Sequence, residues 1–583
     1  MLYTLISWIW IGVSCLLIGY FALSMLNRLT GAEVKSIDLS IMYGLCFLTV
    51  FAQFFSLFYK VGILANIILL FGDILILFCY KKQIGDMIKK VLQKEYKVNK
   101  YIVYLIALGI FLVTLALASA SVRHYDTDLY HAQSIRWIEE YGVACGLGNL
   151  HNRLAYNSSL FCLQALFSMK YVFGQSLHSV NGFIIAFFWV HAVLSMRVLR
   201  EGKIYVSDFF RIGMIFFCNM ENTFENVSSS GSDLFAIGLF IYLIEKVAEL
   251  VEDECKEIAP YAYLCILAVF AVSVKLSVAM IVLITLIPVC LIIKNGKWKD
   301  MLIYLAAGFV VILPFLIRNV IISGYLIYPY PTIDLFNVDW KMPEYTLLFD
   351  SNEIKTWGQG LKDVYLFDTP IKEWFPIWYE GLTKQRATLF CINIICLLAS
   401  FIWGGYQIVR KKYKELCILV VIVANLVLWF LGAPLPRYGM PFMLLLPLGI
   451  LGVILCNIKT VKSERIIVGG ILLVSIIGNY PGTRYAVDGV IENKMPMIVS
   501  KDYEVIDCEE HALGNQIIYT QKEGDRTGYH FFPAAPYGNR FELIELRGDS
   551  FEDGFRMKKE YCNAYVSTYG EIMNENMFQQ ETN

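Results

Sequence analysis

The sequence predicts an all-α polytopic membrane bundle of about 11–13 transmembrane helices that carries a small α+β C-terminal domain. Three observations predict it. Of 583 residues, 57% are hydrophobic and only 17% are charged, whereas a soluble domain holds about a quarter charged residues. Apolar runs long enough to cross a hydrocarbon core, which takes about 20 helical residues, recur from Met1 to near Tyr480. Beyond that the chain turns polar, with strand-like QIIYT (516–520) and FELIEL (541–546) set between Gly and Pro turns. The division is therefore 1–479 for the bundle and 480–583 for the C-terminal domain. The composition excludes a soluble enzyme, a secreted disulfide scaffold and a disordered tail protein. A formal net charge of −1 argues against a nucleic-acid partner, which requires a basic footprint.

The first helix lacks a small-residue cleavage site and reads as a retained anchor. Orientation comes from KKQIGDMIKKVLQKEYKVNK (81–100), because short basic loops stay in the cytoplasm. The helix at 101–121 then delivers residues 122–155 to the outer face. Basic loops at Arg197–Lys203, 294–300, 410–415 and 459–465 return inside, and a final helix near 465–479 exports the C-terminal domain. For these to agree, Tyr156–Phe173 has to begin and end outside. That segment is short and carries Asn157, Ser158, Ser159, Gln164 and Lys170, so it reads as re-entrant rather than spanning. The outward stretches are then 122–155, 221–233, 323–388, 433–439 and 480–583. Long connections of this kind usually carry function. No internal repeat is visible, which speaks against an inverted-repeat transporter. Most of the 15 cysteines sit in apolar runs as small hydrophobes. Cys508 and Cys562 are placed to pair only in an oxidising compartment.

The chemistry concentrates in the first outward loop. Asp126 and Asp128 stand just past the predicted membrane surface, flanked by Arg123, His124 and His131 and interleaved with Tyr125, Tyr130 and Trp137. From Leu129 to Glu140 the pattern is that of an amphipathic helix along the interface. A carboxylate at such an edge can take a proton from a hydroxyl nucleophile, meet a divalent cation, or simply pair with Arg123 or Arg136. The spacing of His124, His131 and His151 fits no standard metal site. Glu221, Glu225 and Asp233 follow where an apolar helix meets the outer face; Asp233 also reads as a plain helix cap. Lys275 interrupts an apolar stretch, where a lone cation is costly. Arg318 and Arg437 lie at outward helix ends, and guanidinium groups match phosphate oxygens. Headgroup anchoring would explain each of these cations equally well.

An acidic motif in the first large outward loop, an apolar bundle, later outward arginines and an outer C-terminal domain together resemble the GT-C superfamily of membrane glycosyltransferases. Locally, the order YDTDLYHAQSIRWIEEYGVACGLGNLHNRLAYNSS, VSSSGSD, VKLS, RNVIISGYLIYP, APLPRYG and ELRGDSFEDGFR is similar to that of a bacterial branch of multipass, glycosyltransferase-like proteins. The resemblance implies a bacterial inner-membrane enzyme that moves a sugar from a polyprenyl-phosphate donor to a cell-envelope glycan or lipid. It puts the general base at Asp126 or Asp128, with Asp126 preferred as the first acid of YDTD, and Asp233 or Glu221 as a second acid. It assigns Lys275, Arg318 and Arg437 to the lipid phosphate. His124, Tyr130, His131, Trp137 and Trp340 would support or stack on the sugar. A divalent cation is optional, since cationic side chains can replace it. The chain lacks the His-Pro-Pro stretch of the best-known members and has LAYNSSLF there instead, which leaves donor identity open.

Two other functions fit parts of the pattern. An envelope polysaccharide polymerase or ligase would rely on outward Arg and His residues. A transporter or lipid flippase would place charges at the middle of several helices, whereas here they gather at helix ends.

Overall fold

Apolar runs in a membrane fold as helices because only there are all backbone polar groups paired within the segment. The computed structural model describes residues 1–217, 224, 226–456, 470 and 480–562, apart from the side chain of residue 539. Among the described residues, ten helices are long and apolar enough to cross a membrane: Leu2–Thr30, Ile37–Ser56, Ile63–Leu92, Lys100–Ala118, Val180–Glu201, Leu276–Asn295, Trp298–Ser323, Lys384–Val409, Tyr413–Gly432 and Pro436–Cys456. The chain is thus a multipass helical bundle. Three further helices, Val206–Phe216, Asp233–Glu252 and Ala259–Val274, pack within it. Two of these are short, and the third ends in Glu245, Lys246, Glu249 and Glu252, which is why they fall outside the ten. The loop expected at 459–465 and the helix expected near 465–479 lie outside the described residues.

One end of the bundle is capped by a polar layer. Its pieces are stitched across long sequence distances: Lys501 N donates to Ser119 O at 3.2 Å, Leu2 N to Met497 O at 2.9 Å, Gly146 N to Ile321 O at 2.8 Å and Phe555 N to Cys145 O at 2.8 Å. The segment expected to be re-entrant holds the eight-residue helix Ser159–Leu166, only about 12 Å long. Its C-terminal flank touches the same layer, with Gln175 Nε2 donating to Ser500 O at 3.0 Å, while on its N-terminal side Asn157 Nδ2 donates to Phe315 O of the Trp298–Ser323 helix at 3.1 Å. The stretch 323–388, read as a loop, contains helices Glu344–Gln359 and Ile371–Glu380.

The C-terminal region forms two antiparallel hairpins, β1 (Cys508–Leu513) with β2 (Gln516–Gln521) and β3 (Ile544–Leu546) with β4 (Phe555–Met557). The expected strand at 516–520 falls within β2. The one at 541–546 is half strand, because a 3₁₀ turn over Gly538–Leu543 brings Phe541 and Leu543 into the core. That core is shared: Trp137, Leu147 and Leu150 of the first loop, Ile322 and Tyr325, and Phe541, Phe551 and Phe555 of the tail form one apolar cluster. Cys508 and Cys562 are free thiols.

The helix expected at Leu129–Glu140 is a π turn over Thr127–His131 running into Ala132–Tyr141. It does not lie open along the interface. Its polar face is covered by the tail, with Gln133 Nε2 donating to Gly528 O and Phe531 O at 2.8 Å each and Arg136 Nη1 to His530 O at 2.7 Å. Below it, buried Glu139 accepts from His178 Nε2 at 2.8 Å and from Tyr529 Oη at 2.6 Å.

The opposite end is tied by a buried ionic network. Arg211 meets Glu245 at 2.5 Å, Glu249 at 2.9 Å and Asp208 at 3.3 Å, and His191 pairs with Glu245 at 2.7 Å. These helices carry charge only where each can be answered by its opposite.

Candidate active site

Four helix ends converge beneath the polar layer, and each delivers one charged side chain. Asp126 follows the Lys100–Ala118 helix, Asp233 opens Asp233–Glu252, Lys275 caps the C-terminus of Ala259–Val274, and Arg437 lies in the first turn of Pro436–Cys456. An acid at a helix N-terminus and a cation at a helix C-terminus both suit the helix dipole, so Asp233 and Lys275 are locally favoured. Arg437 sits at the positive end of its helix and needs carboxylates nearby.

It has them. Arg437 Nη2 donates to Asp126 Oδ2 at 2.9 Å, and its Nε stands 3.7 Å from Asp233 Oδ2. Lys275 Nζ donates to Asp233 Oδ1. The order Asp126, Arg437, Asp233, Lys275 alternates in sign and sums to zero. Tyr438 closes the group: its hydroxyl accepts from Arg437 Nη2 at 3.1 Å, and Lys275 Nζ lies 4.1 Å from its ring centroid. His124 Nε2 is 3.5 Å from Arg437 Nη1. A small cavity of about 40 Å³ adjoins the cluster; His124, Ser229, Asp233 and Arg437 form its polar rim, and Phe217, Leu234, Ile237 and Met440 its apolar wall.

The two acids of YDTD part company. Burial draws the Asp126 carboxyl upward, but the surrounding positive charge, chiefly the Arg437 guanidinium with Arg153 beyond it, outweighs burial, so the group stays below the ordinary carboxylate range and ionised. Asp128 turns toward the tail. Its backbone oxygen accepts from Thr527 N at 3.0 Å and Gly528 N at 2.9 Å. Burial, only partly offset by Arg526, pushes its carboxyl up to about 6. Residues two apart on any helical turn face different ways, so the two carboxylates diverge. Among the histidines, burial lowers His124 and pushes His131 down to about 3, so His131 is neutral near pH 7. His131 Nδ1 is 3.3 Å from Thr127 Oγ1, which in turn lies 2.8 Å from Ser229 Oγ.

The remaining sequence candidates are scattered. Arg318 is buried away from the cluster, with Nε donating to Asn157 Oδ1 at 3.0 Å and Nη1 to Ser56 Oγ and to Gly142 O. Ser56 ends the Ile37–Ser56 helix, whose negative dipole end balances the cation. Trp137 is 1% exposed, packed against Phe532, Phe551 and Phe555. Trp340 donates to Val320 O at 3.1 Å and carries Arg547 over its ring. Neither indole reaches the cluster. Half-buried Tyr130 lies between the His131 and Tyr156 rings and within electrostatic reach of Asp126 and Asp233. Glu221 and Glu225 lie outside the described residues. Among the described residues no three His, Cys, Asp or Glu side chains gather to hold a metal.

Sequence reasoning passed over two contributors. Tyr438 was signalled only by its place beside Arg437. Arg153, paired with Glu353 at 3.3 Å, exerts its charge on Asp126, and its partner lies 200 residues away, beyond any local pattern.

Residues 1–444 match a family described as a domain of unknown function, DUF8201, and the chain belongs to that family. No curated protein and no solved structure matches the chain.

Proposed function

We propose that this DUF8201 protein is a membrane glycosyltransferase of GT-C type, moving a sugar from a polyprenyl-phosphate donor to a cell-envelope glycan or lipid at the outer face of the bacterial inner membrane. The observation that carries this reading is the Asp126–Arg437–Asp233–Lys275 cluster. A carboxylate from the first loop pairs with a cation from far later in the chain, and that cation and Lys275 share Asp233, beside a cavity with an apolar wall.

The chemistry follows from what such a donor needs. A sugar C1 joined to phosphate already has a leaving group, so the protein has to position an alcohol, take its proton and stabilise the departing phosphate. Asp126, ionised and partly open, is suited to accept the alcohol proton. Arg437 and Lys275 are suited to receive phosphate oxygens, Arg437 through a planar fork. Asp233 holds both cations in place. Phe217, Leu234, Ile237 and Met440 offer a surface for the first isoprene units. Should a divalent cation take part, Asp126 and Asp233 are the carboxylates nearest the phosphate site.

The test is replacement of Asp126 by Asn and of Arg437 by Gln in cells, scored by envelope glycan composition at equal protein level. Loss of one glycan component in both supports the reading, and unchanged glycan in both removes it.

A further inference from the structure

A transferase requires a surface for the acceptor as well as a base. Sugars pack the C–H face of the ring on an aromatic side chain, which works only when that side chain is open and held in one orientation. Trp137 and Trp340 are committed elsewhere. Tyr125 is not. It directly precedes Asp126, and its side chain is 49% exposed. Its hydroxyl donates to Asp525 Oδ2, and the guanidinium of Arg526 lies 5.4 Å from the ring centroid. Both clamps belong to the tail, 400 residues onward. Asp525 is itself buried, so the clamp does not swing. The next two residues, Thr527 and Gly528, are fixed by their backbone hydrogen bonds to Asp128 O.

Docking of the tail does not require this arrangement. Gln133, Arg136 and Glu139 already bind residues 528–531 through buried contacts, and none of them leaves an aromatic face open. Tyr125 immediately precedes Asp126, the residue that opens the π turn, so the half-open ring and the carboxylate spring from adjacent backbone positions.

We infer that Tyr125, clamped by Asp525 and Arg526, is the stacking platform for a saccharide acceptor, so that the C-terminal region helps to select what is glycosylated. The inference rests on the transferase reading above and adds the acceptor subsite. The ring positions a sugar so that one hydroxyl reaches Asp126; no covalent step occurs at Tyr125 itself.

The full chain in lipid nanodiscs, probed by saturation-transfer difference NMR with methyl glycosides of glucose, galactose, mannose and N-acetylglucosamine, tests it without relying on turnover. The wild type is expected to saturate the C–H face of at least one glycoside. Tyr125→Ala should weaken that signal about tenfold in apparent affinity, Tyr125→Trp should retain it, and Asp525→Asn, which keeps the ring but loosens its hold, should fall between. Asp525→Asn also serves where Tyr125→Ala does not fold. Absence of saturation for all four glycosides in the wild type, or equal signals in wild type, Tyr125→Ala and Asp525→Asn, overturns the platform. Sugar binding that follows this order in a protein whose Asp126→Asn variant leaves the envelope glycan unchanged keeps the platform and overturns the transferase reading instead.

Discussion

Arg437 donates to Asp126 at 2.9 Å although 311 residues separate them, and the same guanidinium faces Asp233. One cation therefore holds two carboxylates that would otherwise repel. Arg437→Gln should lower transfer by about a hundredfold or more, the scale lost when a charge-stabilising donor is removed from an active site. In thermal unfolding, a cycle of Asp126→Asn, Arg437→Gln and the double variant should give a coupling energy of about 0.5–3 kcal/mol. Additive effects would show that the pair is not formed in the membrane.

The pH dependence separates the two acids of the motif. The Asp126 pKa lies below its unfolded value, so its stabilising contribution is present above about pH 4 and is lost as pH falls through the folded value. If Asp126 is the base, kcat/KM should stay flat from pH 7 down to about 5. A limb near pH 6 would transfer the role to Asp128, whose carboxyl is pushed up to about 6.

Asp128 makes the opposite contribution to stability. Its folded pKa exceeds the unfolded one, so the folded state gains from holding the proton below about pH 4 and loses that gain as pH rises through 6. Asp128→Asn should therefore raise Tm at pH 8 and change it little at pH 4, as read by a fluorescence melt in detergent.

Gly231 leaves room for the chamber wall. A Cβ there would come within 2.7 Å of His131 Cε1, and the imidazole is buried. Gly231→Ala should cost about 1–3 kcal/mol, the usual penalty for overpacking, and should displace the Thr127–Ser229 contact. Unchanged melting would mean that His131 has another place to go.

The tail is held by buried Glu139 between His178 and Tyr529. Burial alone would raise this carboxyl, but His178 and the tyrosine hydroxyl outweigh it and its pKa falls. Glu139→Gln removes a buried charge from its partners, at a cost of about 3–5 kcal/mol. Limited proteolysis should then release residues 480–583 faster, while the helices stay membrane-inserted. Proteolysis at the wild-type rate would place the tail's anchorage at Gln133 and Arg136 instead.

Much of this architecture could be read along the chain. Apolar length and the sparse charges identify a membrane bundle because lipid admits little else. The short, polar 156–173 stretch reads in the sequence as a re-entrant segment, and the structure gives it an eight-residue helix, Ser159–Leu166, too short by itself to cross a bilayer. Asp126, Asp233, Lys275 and Arg437 were each visible as ionisable groups at helix ends, where a charge near lipid is costly enough to suggest a purpose. That Asp126 shares a site with later cations is expected through the family resemblance alone. The residues themselves do not specify which cations meet it, because that depends on how the helix ends pack, and Arg318 is left out. The loss of Trp137 to the core hung on Phe532, Phe551 and Phe555 of the distant tail. Sequence alone thus determined the solvent and the periodicity of each segment, because these depend on local hydrophobicity. Tertiary packing decided which charges are neighbours and which aromatics stay open, because charge pairing and burial are set by distance in space, to which distance along the chain is indifferent.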